Sequence, residues 1–304
     1  MKLPYYEVSA FTANPFNGNP AGVCPLTRWL DDATLVRIAA NNNLAETAYL
    51  VPRGEEFELR WFTPATEVDL CGHATVAAAF VIFSELRFRG DTVRFDSKSG
   101  LLKVTRAGDT LTLDFPARPP TPCAAPEVLI RGLGGKPAQV LKARDYLAVF
   151  ASESDVRALK PDFAALKTLD CLGTIATAPG GDCDFVSRFF APGAGIDEDP
   201  ATGSSHCTLS PFWAQRLGKT KLFARQVSQR GGEFFCELAG ARVRIGGKAV
   251  LYLRGEIEIQ DAPASEEYVR PIAVIETAPI NTGLQPGANA AKPQSRFNGY
   301  DRLA

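Results

Sequence analysis

The sequence lacks an excess of charge of either sign: 33 lysines and arginines stand against 34 aspartates and glutamates, a net of −1 at pH 7. That balance favours neither nucleic acid nor an anionic membrane surface as a partner. A long apolar run is also missing. Val76–Phe83 near the middle is far shorter than the stretch of about 20 residues that spans a bilayer. The opening MKLPYYEVSAF has no extended apolar core, so no signal peptide is expected there. The seven cysteines are scattered without a C-x-x-C pair, which predicts free thiols in a reducing cytoplasm rather than a disulfide framework. The glycines of Gly132-Leu133-Gly134-Gly135-Lys136 match neither G-x-G-x-x-G nor the phosphate-loop spacing, so a loop between strands is expected. No serine sits in a G-x-S-x-G elbow, which leaves a hydrolase triad without an anchor. Cys71, His73, His206 and Cys207 are residue types that bind zinc, but the spacings C-x-H and H-C are not those of zinc pairs. No metal is expected.

What is present is a chain of 304 residues with 45% hydrophobic content, enough for two domains or one large one with a sizeable core. Short β-type runs punctuated by Gly, Pro, Asn and Asp dominate the first half: Tyr5–Phe11, Thr47–Val51, Phe57–Phe62, Thr92–Phe95, Leu101–Thr105 and Thr110–Phe115. Two helices interrupt them. Asp31–Asn41 carries Leu35, Ile38 and Ala39 at helical spacing with Asp31 as N-cap. Ala74–Leu86 is apolar almost all round, the signature of a buried helix. After Pro-rich Pro116–Pro126 come strand-like runs at Gln139–Leu141, Tyr146–Phe150, Ile175–Ala178 and Phe185–Phe190, then a helical Thr208–Leu217. Strands are expected again at Ala224–Val227, Phe234–Leu238, Ala241–Ile245 and Ala249–Glu258.

An internal repeat organises this series. Arg60-Trp61-Phe62-Thr63-Pro64 recurs as Arg188-Phe189-Phe190-Ala191-Pro192, and each copy leads through an acidic loop to a glycine, Gly72 or Gly203, and a helix of small residues. The repeat predicts an α+β fold of two similar domains, each a curved, mostly antiparallel, barrel-like sheet around a central helix. The expected divisions are 1–117, 118–262 and a tail over 263–304, flexible or wrapping from about Pro279. If the halves face each other, both helix starts point into one cleft that favours an anion.

Three segments can carry chemistry. Glu46 lies among small and apolar residues where a helix gives way to a strand. A desolvated carboxyl there would have a raised pKa and could exchange a proton near neutrality; a structural glutamate at a strand edge is the alternative. In Asp69-Leu70-Cys71-Gly72-His73-Ala74-Thr75, His73 either relays a proton or caps the helix, and Cys71 could be an activated thiolate. The run Asp197-Glu198-Asp199 before Thr202, Gly203 and Ser204 lacks the alternation of a hard-cation loop and reads better as a capping cluster.

Together these pieces resemble the PhzF-like (phenazine-biosynthesis-like) isomerase family, whose fold is like that of diaminopimelate epimerase. The matching motifs run in order: Phe11-Thr12 with Phe16-Asn17-Gly18-Asn19-Pro20-Ala21, Asn43-Leu44-Ala45-Glu46-Thr47, Leu70-Cys71-Gly72-His73-Ala74-Thr75, Ser97-Lys98-Ser99-Gly100-Leu101, and Glu198-Asp199-Pro200-Ala201-Thr202-Gly203-Ser204. The resemblance ends near residue 260. It implies an enzyme that isomerises by moving a carbon-bound proton, without metal or organic cofactor. It places the acid/base on Glu46 with His73 and Asp199 as partners, and substrate contacts on Gly72, Gly203, Ser204 and Asn19. The expected partner is a small carboxylate substrate, with a homodimer as the expected assembly. A racemase or epimerase of the same fold would use two facing cysteines; Cys71 offers one, but Asp199-Pro200 stands at the matching loop of the second half. A non-catalytic interaction protein on this fold is the other alternative.

Overall fold

The computed structural model describes residues 1–260; the tail expected over 263–304 lies outside them. In the first half the strands are β1 (Lys2–Ala10), β2 (Asn19–Pro25), β3 (Thr47–Arg53), β4 (Glu56–Phe62), β5 (Glu67–Val68), β6 (Thr92–Ser97), β7 (Gly100–Ala107) and β8 (Thr110–Pro116). Helix α1 (Asp32–Asn42) lies between β2 and β3, and α2 (Gly72–Ser84) between β5 and β6. The second half has β9 (Thr121–Pro122), β10 (Gln139–Lys142), β11 (Tyr146–Val149), β12 (Thr174–Pro179), β13 (Phe185–Ala191), β14 (Ile196–Asp199), β15 (Lys221–Gln226), β16 (Gly232–Ala239) and β17 (Arg242–Glu258). Its helices are the short α3 (Glu127–Leu133), α4 (Glu153–Ala158) and α5 (Phe163–Leu166), and the longer α6 (His206–Leu217).

The pairing pattern is the same in both halves. An antiparallel pair (β1–β2, β10–β11) is followed by a parallel one (β2–β3, β11–β12), then antiparallel contacts of the next strand with both its neighbours (β3–β4–β5, β12–β13–β14). A helix then crosses over to a second parallel pair (β4–β6, β13–β15), and an antiparallel meander ends each half (β6–β7–β8, β15–β16–β17). The R-x-F-x-P copies lie at equivalent ends of β4 and β13. Arg60 holds Glu67 through two hydrogen bonds of 2.7 and 2.8 Å, and Arg188 holds Glu198 at the same two distances. Each guanidinium also lies over the phenylalanine two residues on, Phe62 or Phe190. Planar, bidentate pairing of this kind is what arginine does and lysine does not.

The first half closes on itself only through β17. Its residues Arg242–Lys248 pair with β8, and Ala249–Glu258 pair with β1. The ring β1–β2–β3–β4–β6–β7–β8–β17 therefore returns to β1 and leaves no edge inside it. Helix α2 fills the ring, which is why its sequence is apolar on every side. Ala74, Val76, Ala77, Ala78, Ala79, Val81 and Ile82 are all fully buried, and each large aliphatic contributes about 1.5–3 kcal/mol. The alanine run lets the strands approach closely. Helix α6 packs on β15, β16 and β17, and one apolar core runs from Val76 and Val81 to Leu209 and Trp213. A smaller core lies under α3–α5.

Some expected boundaries move. Both main helices start two residues earlier than their apolar stretches, at Gly72 and His206, because polar His73 and His206 are buried within the first turn although they do not read as part of an apolar run. Strand β2 and helices α3–α5 were not expected. Asn19-Pro20-Ala21-Gly22-Val23-Cys24-Pro25 reads as punctuation, yet Ala21–Cys24 is buried between two strands. The runs Ala241–Ile245 and Ala249–Glu258 are one strand: Gly246 and Gly247 make no turn. A Cβ on Gly247 would stand 2.5 Å from the ring of Phe11, so close packing requires the glycine. All seven cysteines are free. Among the described residues no helix is long and apolar enough to cross a membrane.

Candidate active site

Glu46 is set by the end of α1. Asn43 closes that helix in the left-handed region (φ 51°), its N–H donating to the Ala39 carbonyl, and the chain turns back toward β3. The Glu46 carbonyl then accepts from Gly22 N–H (3.1 Å), fixing the segment on β2 one residue before β3 begins. The side chain points inward and the residue is 9% exposed. His73 is the second residue of α2 and is equally buried. Its Nε2 lies 3.2 Å from Glu46 Oε2. The contact is close but off the line of a hydrogen bond, so Oε2 is buried without an aligned donor. On its other side His73 Nδ1 meets Cys71 Sγ at 3.5 Å.

Burial pushes the Glu46 carboxyl up, but the charge and nearness of His73 pull harder and hold it below the ordinary glutamate range. Burial alone would depress His73; the neighbouring Cys71 and Glu46 instead hold it well above the ordinary histidine value. The expectation of a partly protonated Glu46 is therefore corrected: at neutral pH the pair is carboxylate and imidazolium. Cys71 is corrected as well. Burial, with the Glu46 charge added, pushes its thiol up to about 11, so it is a hydrogen-bonding thiol and not an activated thiolate.

Asp199 ends β14 and is buried. Asn19, at the start of β2, donates from Nδ2 to Asp199 Oδ1 (2.8 Å) and to the Ala201 carbonyl (3.1 Å). The Thr202 hydroxyl donates to Asp199 Oδ2. Buried Gln226 donates to the Asp199 carbonyl and accepts Thr202 N–H (2.8 Å), locking the loop. Burial raises the Asp199 carboxyl more than the charge of His73 lowers it, and Glu46 raises it further. Glu46, His73 and Asp199, drawn from both halves of the sequence, thus sit in one another's electrostatic field. Helix α2 touches the turn Gly203–Ser205.

The two glycines differ. Beyond Gly72 the nearest atom to an added Cβ is Leu113 Cδ1 at 3.9 Å, which is ordinary contact, whereas at Gly203 the ring of Phe11 stands at 3.2 Å. Gly203 thus has a packing reason as well. Phe11 itself sits at φ 61°, an outlier conformation for an aromatic residue. Capping by Thr202 and Ser204 is not formed: neither Cys71 nor Thr202 caps its helix start with a side chain, and the Thr202 hydroxyl goes to Asp199 instead. The three acids face different ways, with Asp197 exposed, Glu198 on Arg188 and Asp199 buried. Ser204 Oγ receives Arg144 Nη2 at 3.5 Å.

Among the described residues the donor atoms that converge are those of Glu46, Cys71 and His73, within 4.8 Å of one another. His206 does not join them. It stacks on Phe234 at 3.9 Å and burial pushes it down to about 4, a core histidine. Gln226 and the Arg144–Asp145 pair were not singled out in the sequence, and Thr202 was expected there as a cap and not as a partner of Asp199. Gln226 carries no local signal, since it ends an ordinary strand and meets Asp199 only in three dimensions. A groove of about 420 Å³ between Thr12–Asn17 and Arg225–Glu233 shares Gln226 with this network but contains neither Glu46 nor His73.

Residues 8–255 match the family described as phenazine biosynthesis-like protein. An uncharacterised isomerase of Pseudomonas aeruginosa is 52% identical over 259 residues, covering 85% of this chain and all of the relative. The crystal structure of a PhzF-family phenazine biosynthesis protein from Enterococcus faecalis is 46% identical and superposes with a TM-score of 0.84, over 85% of this chain and 100% of that one. A hydroxyproline epimerase from Agrobacterium vitis, 13% identical with a TM-score of 0.53 over 84% of this chain and 92% of that one, shares the fold alone, the diaminopimelate-epimerase-like α+β arrangement. On this evidence the chain belongs to the phenazine biosynthesis-like (PhzF) family and is an isomerase.

Proposed function

We propose that the chain moves a carbon-bound proton within a small carboxylate-bearing metabolite by general acid/base catalysis, with no metal or organic cofactor. The observation that supports this most is the buried Glu46 carboxylate. It stands 3.2 Å from a histidine held protonated, and its Oε2 has no aligned donor. A base with a free lone pair and an acid beside it, both out of bulk water, are the two parts a proton shift requires. In this reading Glu46 removes the proton. His73 or the burial-raised Asp199 returns one to a second carbon or the opposite face, so that a double bond migrates or a centre inverts. Asn19, Thr202 and Gln226 position Asp199, and the uncapped amides near Gly72 and Gly203, with Ser204, hold the substrate carboxylate. The lobes 1–117 and 118–262 are proposed as the two similar units that supply these groups.

The test is exchange with solvent. Small carboxylic acids incubated with the protein in heavy water should take up deuterium at the reacting carbon, read by mass spectrometry, and prior chelation should leave the rate unchanged. Glu46→Gln keeps the shape and removes the base. It should slow uptake by roughly 100-fold or more while binding persists. Uptake at the normal rate in that variant would make Glu46 structural.

A further inference from the structure

Beside the acid/base cluster lies a second group of charges that it does not use. Arg144 is fixed by Asp145, which is 1% exposed. Its Nε and Nη2 reach both carboxylate oxygens at 2.7–3.2 Å, and Gly173 N–H holds Asp145 Oδ1 from behind at 3.2 Å. So held, Arg144 Nη2 extends to Ser204 Oγ at 3.5 Å. Arg118 arrives from the end of β8. Its backbone N–H donates to the Cys207 carbonyl (2.8 Å), one helical turn past Ser204. Its half-buried guanidinium has no carboxylate within 4.0 Å and no hydrogen-bond acceptor among the described residues. Burial and the charge of Arg144 hold its pKa below the ordinary arginine value, with Asp145 and the Cys207 thiol facing it as the opposing groups. The thiol of Cys207 is in turn lowered by both guanidiniums, against the larger effect of burial. Two arginines and one aspartate thus leave one positive charge uncompensated in a group whose Arg144 reaches Ser204.

We propose that Arg118, Arg144 and Ser204 form an anion subsite that takes a carboxylate of the substrate. An unpaired, partly desolvated guanidinium beside a second one costs stability, and such a cost is retained where a ligand offsets it. A surplus of one positive charge matches a carboxylate, whereas a phosphate brings about −1.5 to −2. Guanidinium forks suit the planar, bidentate carboxylate. The inference rests on the proposed function only for the place of Ser204 in the substrate cleft; anion capture can hold even if proton transfer does not.

Binding of propionate, inorganic phosphate and uncharged propionamide to the full chain at low ionic strength, followed by calorimetry, tests this. Propionate should bind, propionamide should not, and Arg118→Gln should weaken propionate by roughly tenfold or more while its melting temperature stays equal or rises, since no partner is lost. Arg94→Gln, an exposed arginine on β6, should bind propionate as the unaltered protein does. Glu46→Gln should also bind propionate normally while its deuterium uptake is lost, which separates failure of the subsite from failure of the acid/base reading. No propionate binding, equal binding in Arg118→Gln, or an equal loss in Arg94→Gln would overturn the subsite. Phosphate bound more tightly than propionate would overturn its assignment to a carboxylate.

Discussion

At the scale of single residues the Glu46–His73 pair governs how the protein responds to pH. Glu46 titrates below its ordinary 4.5, so the stability it contributes is present above 4.5 and is lost as pH falls through its folded value. His73 titrates above its ordinary 6.5. Its contribution is complete below 6.5 and is lost as pH rises through its folded value. The pair is therefore intact across neutrality, and the deuterium-uptake profile should be a plateau there. Its acid limb should lie below the usual glutamate range and its alkaline limb above the usual histidine range, both belonging to the coupled cluster. His73→Gln removes the charge that holds Glu46 down and leaves burial to push it up. The acid limb should then move to higher pH; an unmoved limb would mean that His73 does not set the ionisation of Glu46. Cys71→Ser tests the neighbouring thiol. A hydroxyl can still donate a hydrogen bond there, so activity should persist, and complete loss would favour cysteine chemistry.

At the scale of elements, α2 depends on the ring that surrounds it. Ala77, Ala78 and Ala79 are each 0% exposed, so the helix has no side that can take a larger side chain. Ala78→Leu should destabilise by about 1–3 kcal/mol through overpacking, seen as a lower denaturant midpoint with unchanged slope; a neutral result would mean that the ring yields around the helix. This element was readable in the sequence because a run apolar on every side has few other places to go. The repeat was readable for a similar reason: Arg60 and Arg188 recur with the phenylalanines and glutamates they touch, so a short motif carried a topology. Other features were hidden. β2 is written in prolines and a glycine, which ordinarily punctuate. The strand through Gly246–Gly247 looks like a turn until Phe11 is known to press on it. Local sequence also pointed the wrong way for Glu46, since small apolar neighbours predict a raised carboxyl, and the imidazolium that reverses the shift comes from a separate helix.

At the scale of the whole molecule, β17 ties the halves together. A boundary at 117/118 cuts the chain after β8, yet the strand that pairs with both β8 and β1 is Arg242–Glu258. The second half thus lends its last strand to the first and completes the ring around α2. A fragment of residues 1–117 would carry α2 and its apolar surface but would expose the unpaired backbone groups of β1 and β8 as two open edges. Those edges and the gap between them would let water reach Val76, Val81 and Ile82. Such a fragment should be aggregated or molten. Joining residues 242–258 to it through a flexible linker should restore a cooperative thermal transition and slow hydrogen exchange in α2, because the missing strand then pairs on both sides. His73 would be re-formed beside Glu46 in that fusion, since both belong to the first half, while Asp199 would be absent. The fusion should therefore fold without catalysing exchange. Cooperative folding of 1–117 alone, with α2 protected, would show that the ring does not need β17.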